Sequence, residues 1–456
     1  MLRRSLAALD DGQFRRDLTD EGRLTASSIN DALTELNLRR GVAQRLGDYY
    51  EGQSPILGRT LPPGAPKDID NRIPLPYARK LINTITGYMY KPGNVQTNSD
   101  NEEYINAIKD VYYINKEASK TSRLGKLSSI FGVSYEMHYV DQDMNPRFTT
   151  VPVEDLLPVY SNELEPEIVA VIHRYIEHTP GEQSDDIEHI DIYYADVIQR
   201  YASIGVGSLI ESLRLTSEEP HGYGMVPVAV FRNNDEIIGD FETITKLLDA
   251  YDVLMSDSMN EFDRFAWAYL VLKNLNMTKS DIAEIKIKKV IEVMENGGVE
   301  FLTKDIQTGF IQYMRDWIRE EIHKQSHIPD MADQNFAGNQ SGVAIRYKLT
   351  DLENLASVKE IGFIDGLRRR IELLNAFWRT QGQSFSGREI WFSFNRNIPA
   401  NYLEQAQIVQ GLRGHVSHKT LLDEVVSFVD DSQAELDAIG LENDSMTMAF
   451  DEVDNE

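Results

Sequence analysis

Two histidines, His323 and His327, have the spacing in this chain that comes closest to a known chemical motif. Four residues apart on one helical face, they could bind zinc as a pair. The residues between them are Lys-Gln-Ser, so the glutamate that a metalloprotease uses as its base is missing. We therefore expect exposed or interfacial histidines here, and we assign no metal ligand.

Phosphate chemistry is the next possibility. The sequence contains no Gly-x-x-x-x-Gly-Lys-Ser/Thr loop to cradle a triphosphate, so any ATP-driven step must belong to a partner. The many Asp and Glu residues could bind magnesium as in a nuclease, but they form no compact acidic motif. We assign no catalytic residue and no cofactor and expect no enzyme. A metal-dependent nuclease remains an alternative.

A polar loop follows the two histidines. Pro329 should end the helix that carries them, and Asn335, Gly338 and Asn339 are typical turn residues. Ser341 can then cap a long helix that runs to about Trp378. Phe336 is the one aromatic residue of the loop, which suggests contact with something beyond the segment, although it could equally tuck back onto its own domain.

Composition limits the classes that remain. The chain has 456 residues, 41% of them hydrophobic, which allows well-buried cores in roughly three domains. No apolar run approaches the ~18 residues of a membrane span, so we expect no signal peptide and no membrane anchor. The absence of cysteine excludes disulfides and fits assembly in a reducing cytoplasm.

The charge of the chain is opposite in sign to that of a tight nucleic-acid binder. There are 46 basic and 73 acidic residues, a net charge of −27, whereas a tight DNA binder needs clustered Lys and Arg. An acidic wall would suit a conduit through which DNA slides. Composition alone favours the simpler interpretation, which is that acidity keeps the protein soluble.

Hydrophobic periodicity predicts a mixture of helices and strands, an α+β protein. The predicted helices are Ser28–Tyr50, Tyr77–Tyr90, Glu102–Phe131, a helix capped by Asp240 that runs to about Phe262, Gln307–Gln325, the long helix after Ser341, a helix from about Asn401, Ser417–Val426 and Ser432–Ile439. The predicted strands are Tyr135–Val140, Arg147–Val153, Ile168–Ile176, Ile190–Tyr194, Ser208–Leu215, Ala266–Leu272 and Glu389–Asn395, with a hairpin over Val290–Thr303 and a basic helix over Lys279–Lys289.

Several stretches together resemble one family. They are Tyr49-Tyr-Glu-Gly52, Asn71-Arg-Ile-Pro-Leu-Pro-Tyr77, Val226-Pro-Val-Ala-Val-Phe-Arg-Asn-Asn234, Ile328-Pro-Asp with Phe336, Ser341-Gly-Val-Ala-Ile-Arg-Tyr-Lys-Leu349, and Phe394-Asn-Arg-Asn-Ile-Pro399. In this order they resemble the portal proteins of tailed bacteriophages, of the type found in siphophages that infect Bacillus. The resemblance covers roughly Tyr49 to Ile439, and the ordered set is more specific than any one stretch.

The resemblance implies a portal fold with a mixed α/β wing, a two-helix stem, a small α/β clip, a long bent helix and a helical crown. The implied divisions are a flexible N-terminal arm (1–23), wing (24–239), first stem helix (240–264), clip (265–305), second stem helix (306–328), tunnel loop (329–341), long wing helix (342–380), wing strand (381–399), crown (400–450) and acidic tail (451–456). The long helix is expected to bend near Gly362 or Gly366.

The resemblance also implies an assembly, its function and its partners. It implies a homododecameric ring in the virion, at the portal vertex of the capsid, after assembly in the host cytoplasm. The ring would form the head-tail connector for DNA translocation, viral genome packaging and genome ejection. Implied partners are double-stranded DNA, the terminase motor, head-completion or adaptor proteins, and the major capsid and scaffolding proteins. A passive capsid adaptor without a channel remains open.

Three sets of site residues follow from these assignments. Those facing DNA from the tunnel loop would be Asp330, Asp333, Asn335, Phe336, Asn339 and Gln340. Those lining the channel from the first stem helix would be Glu242, Asp249, Asp252, Asp257 and Glu261. Those docking the motor from the clip would be Lys286, Lys288 and Lys289, although a solvated helix face is the commoner meaning of such a lysine run.

Overall fold

The protein is an α+β structure, as predicted. The computed structural model describes residues 13–61, 69–178, 187–204, 214–266, 269–273, 298–302, 308–331, 347–396, 402–426, 429 and 432–441. Of the predicted site residues, Asp333, Asn335, Phe336, Asn339, Gln340, Lys286, Lys288 and Lys289 lie outside these ranges.

The first helices begin and end where local chemistry places them. Helix α1 (Ala26–Glu51) starts because the Thr25 side chain accepts a hydrogen bond from the Ser28 amide, and it ends at Gly52, whose φ is +81°. Helix α2 (Tyr77–Met89) follows an extended segment and buries one apolar face. Both predicted helices are confirmed to within two residues at each end.

The single helix predicted over Glu102–Phe131 is wrong. Lys116 has a φ of +53° and separates helix α3 (Glu102–Asn115) from helix α4 (Glu117–Phe131). At the break, the Asn115 side-chain amide donates to the backbone oxygens of Val111 and Pro146. The bond to Pro146 joins residues 31 apart and helps hold the left-handed residue in place, and the periodicity of the sequence does not reveal it. Helix α4 ends at Gly132 as predicted, with a φ of +83°.

Two mainly antiparallel sheets form the body. Among the described residues, one sheet has the order β1-β5-β6-β7-β8-β9 and another has the order β10-β3-β4. The strands are β1 (Phe14–Arg15), β2 (Val95–Asn98), β3 (Val133–Val140), β4 (Pro146–Val151), β5 (Leu156–Tyr160), β6 (Ile168–Glu177), β7 (Ile187–Tyr193), β8 (Val197–Ile204), β9 (Arg214–Pro220) and β10 (Val228–Arg232).

The sheets confirm several strand predictions and correct others. The predictions overlapping β3, β4, β6 and β7 are confirmed, whereas β2, β5, β8 and β10 were missed. The strand predicted over Ser208–Leu215 is shifted, since β9 begins at Arg214 and residues 205–213 lie outside the described part. The mobile arm predicted through residue 23 is wrong for β1, because Phe14 and Arg15 pair in parallel with Val159 and Tyr160.

A two-helix arm extends the chain beyond the sheets. Helix α5 (Thr245–Ala266) follows a 3-10 turn (Glu242–Ile244) and packs beside helix α6 (Thr308–Gln325). Between them, β11 (Tyr269–Lys273) pairs antiparallel with β12 (Gly298–Leu302). The strand predicted over Ala266–Leu272 is thus confirmed in large part, while most of the segment predicted as basic helix and hairpin lies outside the described residues.

The long helix α7 (Thr350–Thr380) lies across β10. A Cβ on Gly362 would lie 2.8 Å from the Arg232 backbone oxygen, and one on Gly366 would lie 2.4 Å from the Phe231 ring. The two glycines at which a bend was predicted are therefore sites of close approach between helix and sheet.

The chain then returns to the body before its last helices. Strand β13 (Trp391–Phe394) pairs antiparallel with β2, as expected for a strand near Glu389–Asn395. Helices α8 (Tyr402–Leu412) and α9 (His418–Glu424) follow, and residues 432–441 are also helical. The predicted cap of α9 is confirmed, because the Ser417 hydroxyl accepts from the Thr420 amide at 3.2 Å.

Candidate functional site: the two-helix arm and the anchors of the long helix

The base of the two-helix arm is part of the largest apolar core in the described part of the chain. Leu248 and Tyr251 of α5 and Ile318 and Ile322 of α6 are buried in the cluster that also contains Leu81 of α2. The base of the arm is therefore continuous with the body, which fixes its direction.

One acidic residue of α5, Asp252, is buried in the interior of the protein. Asp252 is 3% exposed and accepts hydrogen bonds from the Ser54 hydroxyl at 2.5 Å and from the Leu75 amide at 3.0 Å. Burial raises the pKa of this carboxyl, and the Ser54 hydrogen bond opposes the shift. The prediction that Asp252 lines a channel is wrong, because its carboxylate fastens α5 to the extended segment before α2.

The other predicted channel carboxylates also contact their own chain. The Glu242 side chain is only 10% exposed, and its carboxylate lies 3.8 Å from the Arg45 guanidinium. Like Asp252, Glu242 therefore does not present its charge at a surface. Asp249 accepts from the Tyr49 hydroxyl at 2.6 Å, whereas Asp257 is half exposed and pairs with Arg59 at 2.6 Å. Glu261 is partly buried and also has an interaction partner. A channel-lining role therefore remains a prediction for Asp249, Asp257 and Glu261.

The outward faces of the arm are apolar in part. Phe262 on α5 is 61% exposed, and Val253 and Met259 on the same helix are also exposed. On α6, Phe310 is 61% exposed and Trp317 is 43% exposed. Large apolar side chains exposed on two packed helices are typical of a subunit that assembles with other chains.

The start of the polar loop is held against the body. Asp330, the first predicted DNA-facing residue, forms an ion pair with Lys80 of α2 at 2.7 Å. The His323 Nε2 atom lies 3.6 Å from the Asp330 carboxylate. The only predicted loop-site residue within the described ranges is thus anchored to the body, and any contact it makes with DNA remains a prediction.

The two histidines do not act as a pair. The His323 Nδ1 atom is 2.8 Å from the backbone oxygen of Ile328, and burial lowers the pKa of its ring. His327 is exposed with a φ of +58°, outside the helix that carries His323. In the part of the chain that the structure describes, no group of three or more His, Asp or Glu residues is arranged to hold a metal ion.

A buried lysine anchors the first half of α7. Lys359 is fully buried and pairs with Asp240 at 2.7 Å, while its ammonium also donates to the Ser129 hydroxyl at 2.8 Å and to the Asn233 side-chain oxygen. Burial lowers the pKa of Lys359, and the Asp240 carboxylate opposes that shift. Asp240 does not cap α5 as predicted, because that helix begins only at Thr245, and both Asp240 carboxylate oxygens accept from Lys359 instead.

A buried arginine anchors the second half. Arg370 makes a two-pronged contact with Glu136 of β3, at 2.8 and 2.7 Å, and a further ion pair with Glu117 at 3.0 Å. His138 lies 3.1 Å from the same Glu136 carboxylate. Burial alone would raise the pKa of Glu136, but Arg370 and the hydrogen bond from His138 outweigh it and hold the pKa at about 2.

Neither buried anchor of α7, Lys359 or Arg370, was predicted, although the sequence contains a signal for both. Lys359 and Arg370 interrupt the apolar stripe of the long helix at positions three or four residues from Ala356, Phe363 and Leu374. A charged residue on the buried face of a helix needs a buried partner of opposite charge. The identity of that partner depends on the fold.

The comparisons with known proteins assign the family. A model described as "Phage portal protein, SPP1 Gp6-like" matches residues 31–447. The chain belongs to this family of phage portal proteins, which confirms the resemblance read from its motifs.

Its relatives include two portal proteins of phages. The chain is 26% identical over 360 residues to the portal protein of Bacillus phage SPP1. The matched region covers 74% of this chain and 69% of that protein. It is 24% identical over 377 residues to the portal protein of Clostridium phage phiCD119, covering 78% and 81% respectively.

A distant similarity to a solved structure is also found. A chain of the virion of a native gene transfer agent particle gives a TM-score of 0.45 at 10% identity, covering 84% of this chain and 92% of that one. In the described residues, no helix combines the length and apolar character that crossing a membrane requires.

Proposed function

We propose that this chain is the portal subunit of a tailed phage. Copies assemble into a closed ring, dodecameric by family resemblance, at one vertex of the capsid. Double-stranded DNA passes through its axial channel during packaging, retention and ejection. The family match over residues 31–447 carries this proposal. The protein has a structural role in it, so the ATP-driven step belongs to a terminase motor.

The arm supplies the physical support for a ring. Burying the exposed Phe262, Phe310 and Trp317 against a second copy would remove their apolar surface from water, and each fully buried aromatic contributes roughly 1.5–3 kcal/mol. A single chain leaves these side chains in solvent. We assign the faces of α5 and α6 that carry them to the contact between neighbouring subunits.

Other parts of the chain keep their predicted roles within this proposal. The body (24–239 and 342–399) forms the wing, α5 and α6 form the stem, and the segment between them, with β11 and β12, forms the clip. Residues 400–450 form the crown. The wing and crown would contact capsid, scaffolding and packaged genome, and the clip, through Lys286, Lys288 and Lys289, would dock the motor and later the head-completion proteins in the virion.

Electron microscopy of the purified protein, with mass analysis of the same sample, tests the ring. We expect rings with an axial channel wide enough for duplex DNA. The double variant Phe262→Glu/Trp317→Glu should shift the mass towards monomer, because two charges would be buried at the contact. Tyr113→Glu is the matched control, since Tyr113 is 88% exposed on α3, away from the arm.

The outcomes separate the alternatives. Rings from the double variant as abundant as those from the control would refute the assignment of α5 and α6 to the contact. A compact assembly without an axial hole would favour the passive adaptor. The comparisons give the nuclease alternative no support, and it is not proposed.

A deletion tests the loop. Removing residues 332–340 leaves the Lys80–Asp330 ion pair in place, so the rings should remain intact. We expect loss of DNA packaging or retention, measured as DNase-protected DNA in assembled heads. Normal packaging by this variant would contradict a role for Asp333, Asn335, Phe336, Asn339 and Gln340 at the DNA. The variant Lys80→Met removes the ion pair with Asp330 but keeps the loop. Packaging by this variant shows whether the position in which the loop is held matters, and not only whether the loop is there.

A further inference from the structure

A groove beside the C-terminal half of α7 combines positive charge with an apolar floor. It is a cavity of about 720 Å³, and we name it the arginine groove after Arg368, Arg379 and Arg388, which line it. Its floor includes Met225, Ile371 and Phe392. None of its described lining residues belongs to the two-helix arm or to the start of the polar loop.

The charge of the groove is not balanced by its own residues. Among its described lining residues the one carboxylate is Glu372, which already pairs with Arg369 at 3.2 Å. Arg368 has a long ion pair of 3.6 Å with Asp365. Arg379 donates to the Asn375 backbone oxygen at 3.4 Å, and within the described residues neither it nor Arg388 pairs with a carboxylate. In a chain of net charge −27, such a site stands out.

The chemistry of the groove selects its ligand. Guanidinium groups bind both carboxylates and phosphates. An apolar floor favours a ligand that carries large apolar side chains between its negative groups. A peptide with acidic and apolar residues satisfies both conditions, whereas duplex DNA presents phosphates on a convex surface and has no side chain to fill the recess.

This chain contains such a peptide. Residues 442–456 read ENDSMTMAFDEVDNE, which contains six acidic residues and no basic one. Met446, Met448, Phe450 and Val453 provide the apolar side chains. The part of the chain that the structure describes extends to residue 441, and this acidic segment follows it directly in the sequence.

We infer that the arginine groove is the docking site for the acidic segment 442–456 of this chain, with carboxylates on the three arginines and Phe450 on the apolar floor. This inference does not rest on the proposed channel function. Docking would cover a positive patch that otherwise attracts polyanions, including DNA, to the wing.

Fluorescence anisotropy of a labelled peptide with the sequence 442–456 tests the inference on the full-length protein. A background variant in which the six acidic residues of the segment become Asn or Gln leaves the groove empty, and it should bind the peptide. The intact protein should bind it at least about threefold more weakly, because its own segment competes. Adding Arg368→Glu, Arg379→Glu and Arg388→Glu to the background should weaken binding by at least about tenfold.

Matched controls separate the groove from general charge. Lys91→Glu, Lys109→Glu and Arg123→Glu change the net charge equally at exposed positions outside the groove, and this variant should bind like the background. A peptide with Phe450→Ala should bind more weakly although its charge is unchanged.

Three results would overturn the inference. Equal affinity of the groove variant and the control variant would show attraction by charge alone. Equal affinity of the intact protein and the background would show that the segment does not occupy the groove. Tighter binding of a labelled DNA duplex than of the peptide, lost in the groove variant, would make the groove a nucleic-acid contact instead.

Discussion

Replacing Arg370 by methionine tests the buried anchor of the long helix. The variant keeps an unbranched side chain, although a shorter one, and leaves the fully buried Glu136 without its main partner. Breaking a buried ion pair from one side typically costs about 3–5 kcal/mol. The lowered pKa of Glu136 expresses the same interaction in a similar figure, since a lowering from 4.5 to about 2 corresponds to roughly 3 kcal/mol of stability at neutral pH.

These magnitudes convert to a measurable shift. For a wing-sized unit, 1 kcal/mol changes the melting temperature by about 2–4 °C, so Arg370→Met should lower it by roughly 10 °C. Thermal unfolding is followed by circular dichroism at one fixed protein concentration, because assembly also contributes to stability. Arg123→Met on α4 is the control, since this arginine is exposed and its loss should change stability by no more than ~0.5 kcal/mol.

The pH dependence has a definite sign. The folded-state pKa of Glu136 lies below its unfolded value, so its contribution is present above pH of about 4.5 and is lost as the pH falls towards about 2. Arg370→Met removes this contribution and should therefore flatten that part of the stability profile. Adding Glu136→Gln removes the unpaired charge and should restore at least half of the lost stability at pH 7. Two results would refute the reasoning. One is a melting temperature of Arg370→Met equal to that of the control Arg123→Met, and the other is no recovery of stability in the double variant.

Two backbone positions give further predictions. Gly366→Ala should destabilise the protein by about 1–3 kcal/mol, because the new Cβ would meet the Phe231 ring. Gly411→Ala is its control in chemical denaturation, since no atom lies within 4 Å of a Cβ there, and a loss as large as that of Gly366→Ala would contradict the packing argument. Lys116→Gly should raise stability by a few tenths to about 1 kcal/mol, because glycine adopts the φ of +53° without strain; a lower melting temperature would show that the lysine side chain matters more than its backbone.

Local chemistry made many elements predictable. The N-cap at Ser417 and the left-handed glycine at position 132 act within one helical turn, so the sequence around them is enough to place a helix end. The family was likewise readable from ordered motifs. Asn115 shows the limit, because its bonds across to β4 accompany a helix break that periodicity alone does not predict.

The candidate site was only partly predictable. An acidic residue on an amphipathic helix looks solvent-exposed in sequence, and for Asp257 this is largely so. Asp252 has the same appearance, yet it is buried because Ser54 and the Leu75 amide, far away along the chain, converge on it. Sequence spacing does not distinguish these two carboxylates.

The sequence by itself determined the class of fold, most helix positions and the family, because these depend on periodicity, caps and motifs that act over short stretches or recur in order. Only the tertiary structure decided which charges pair inside the protein. Lys359 meets Asp240 across 119 residues and Arg370 meets Glu136 across 234. Each pair is stable only where the folded chain removes both groups from water together.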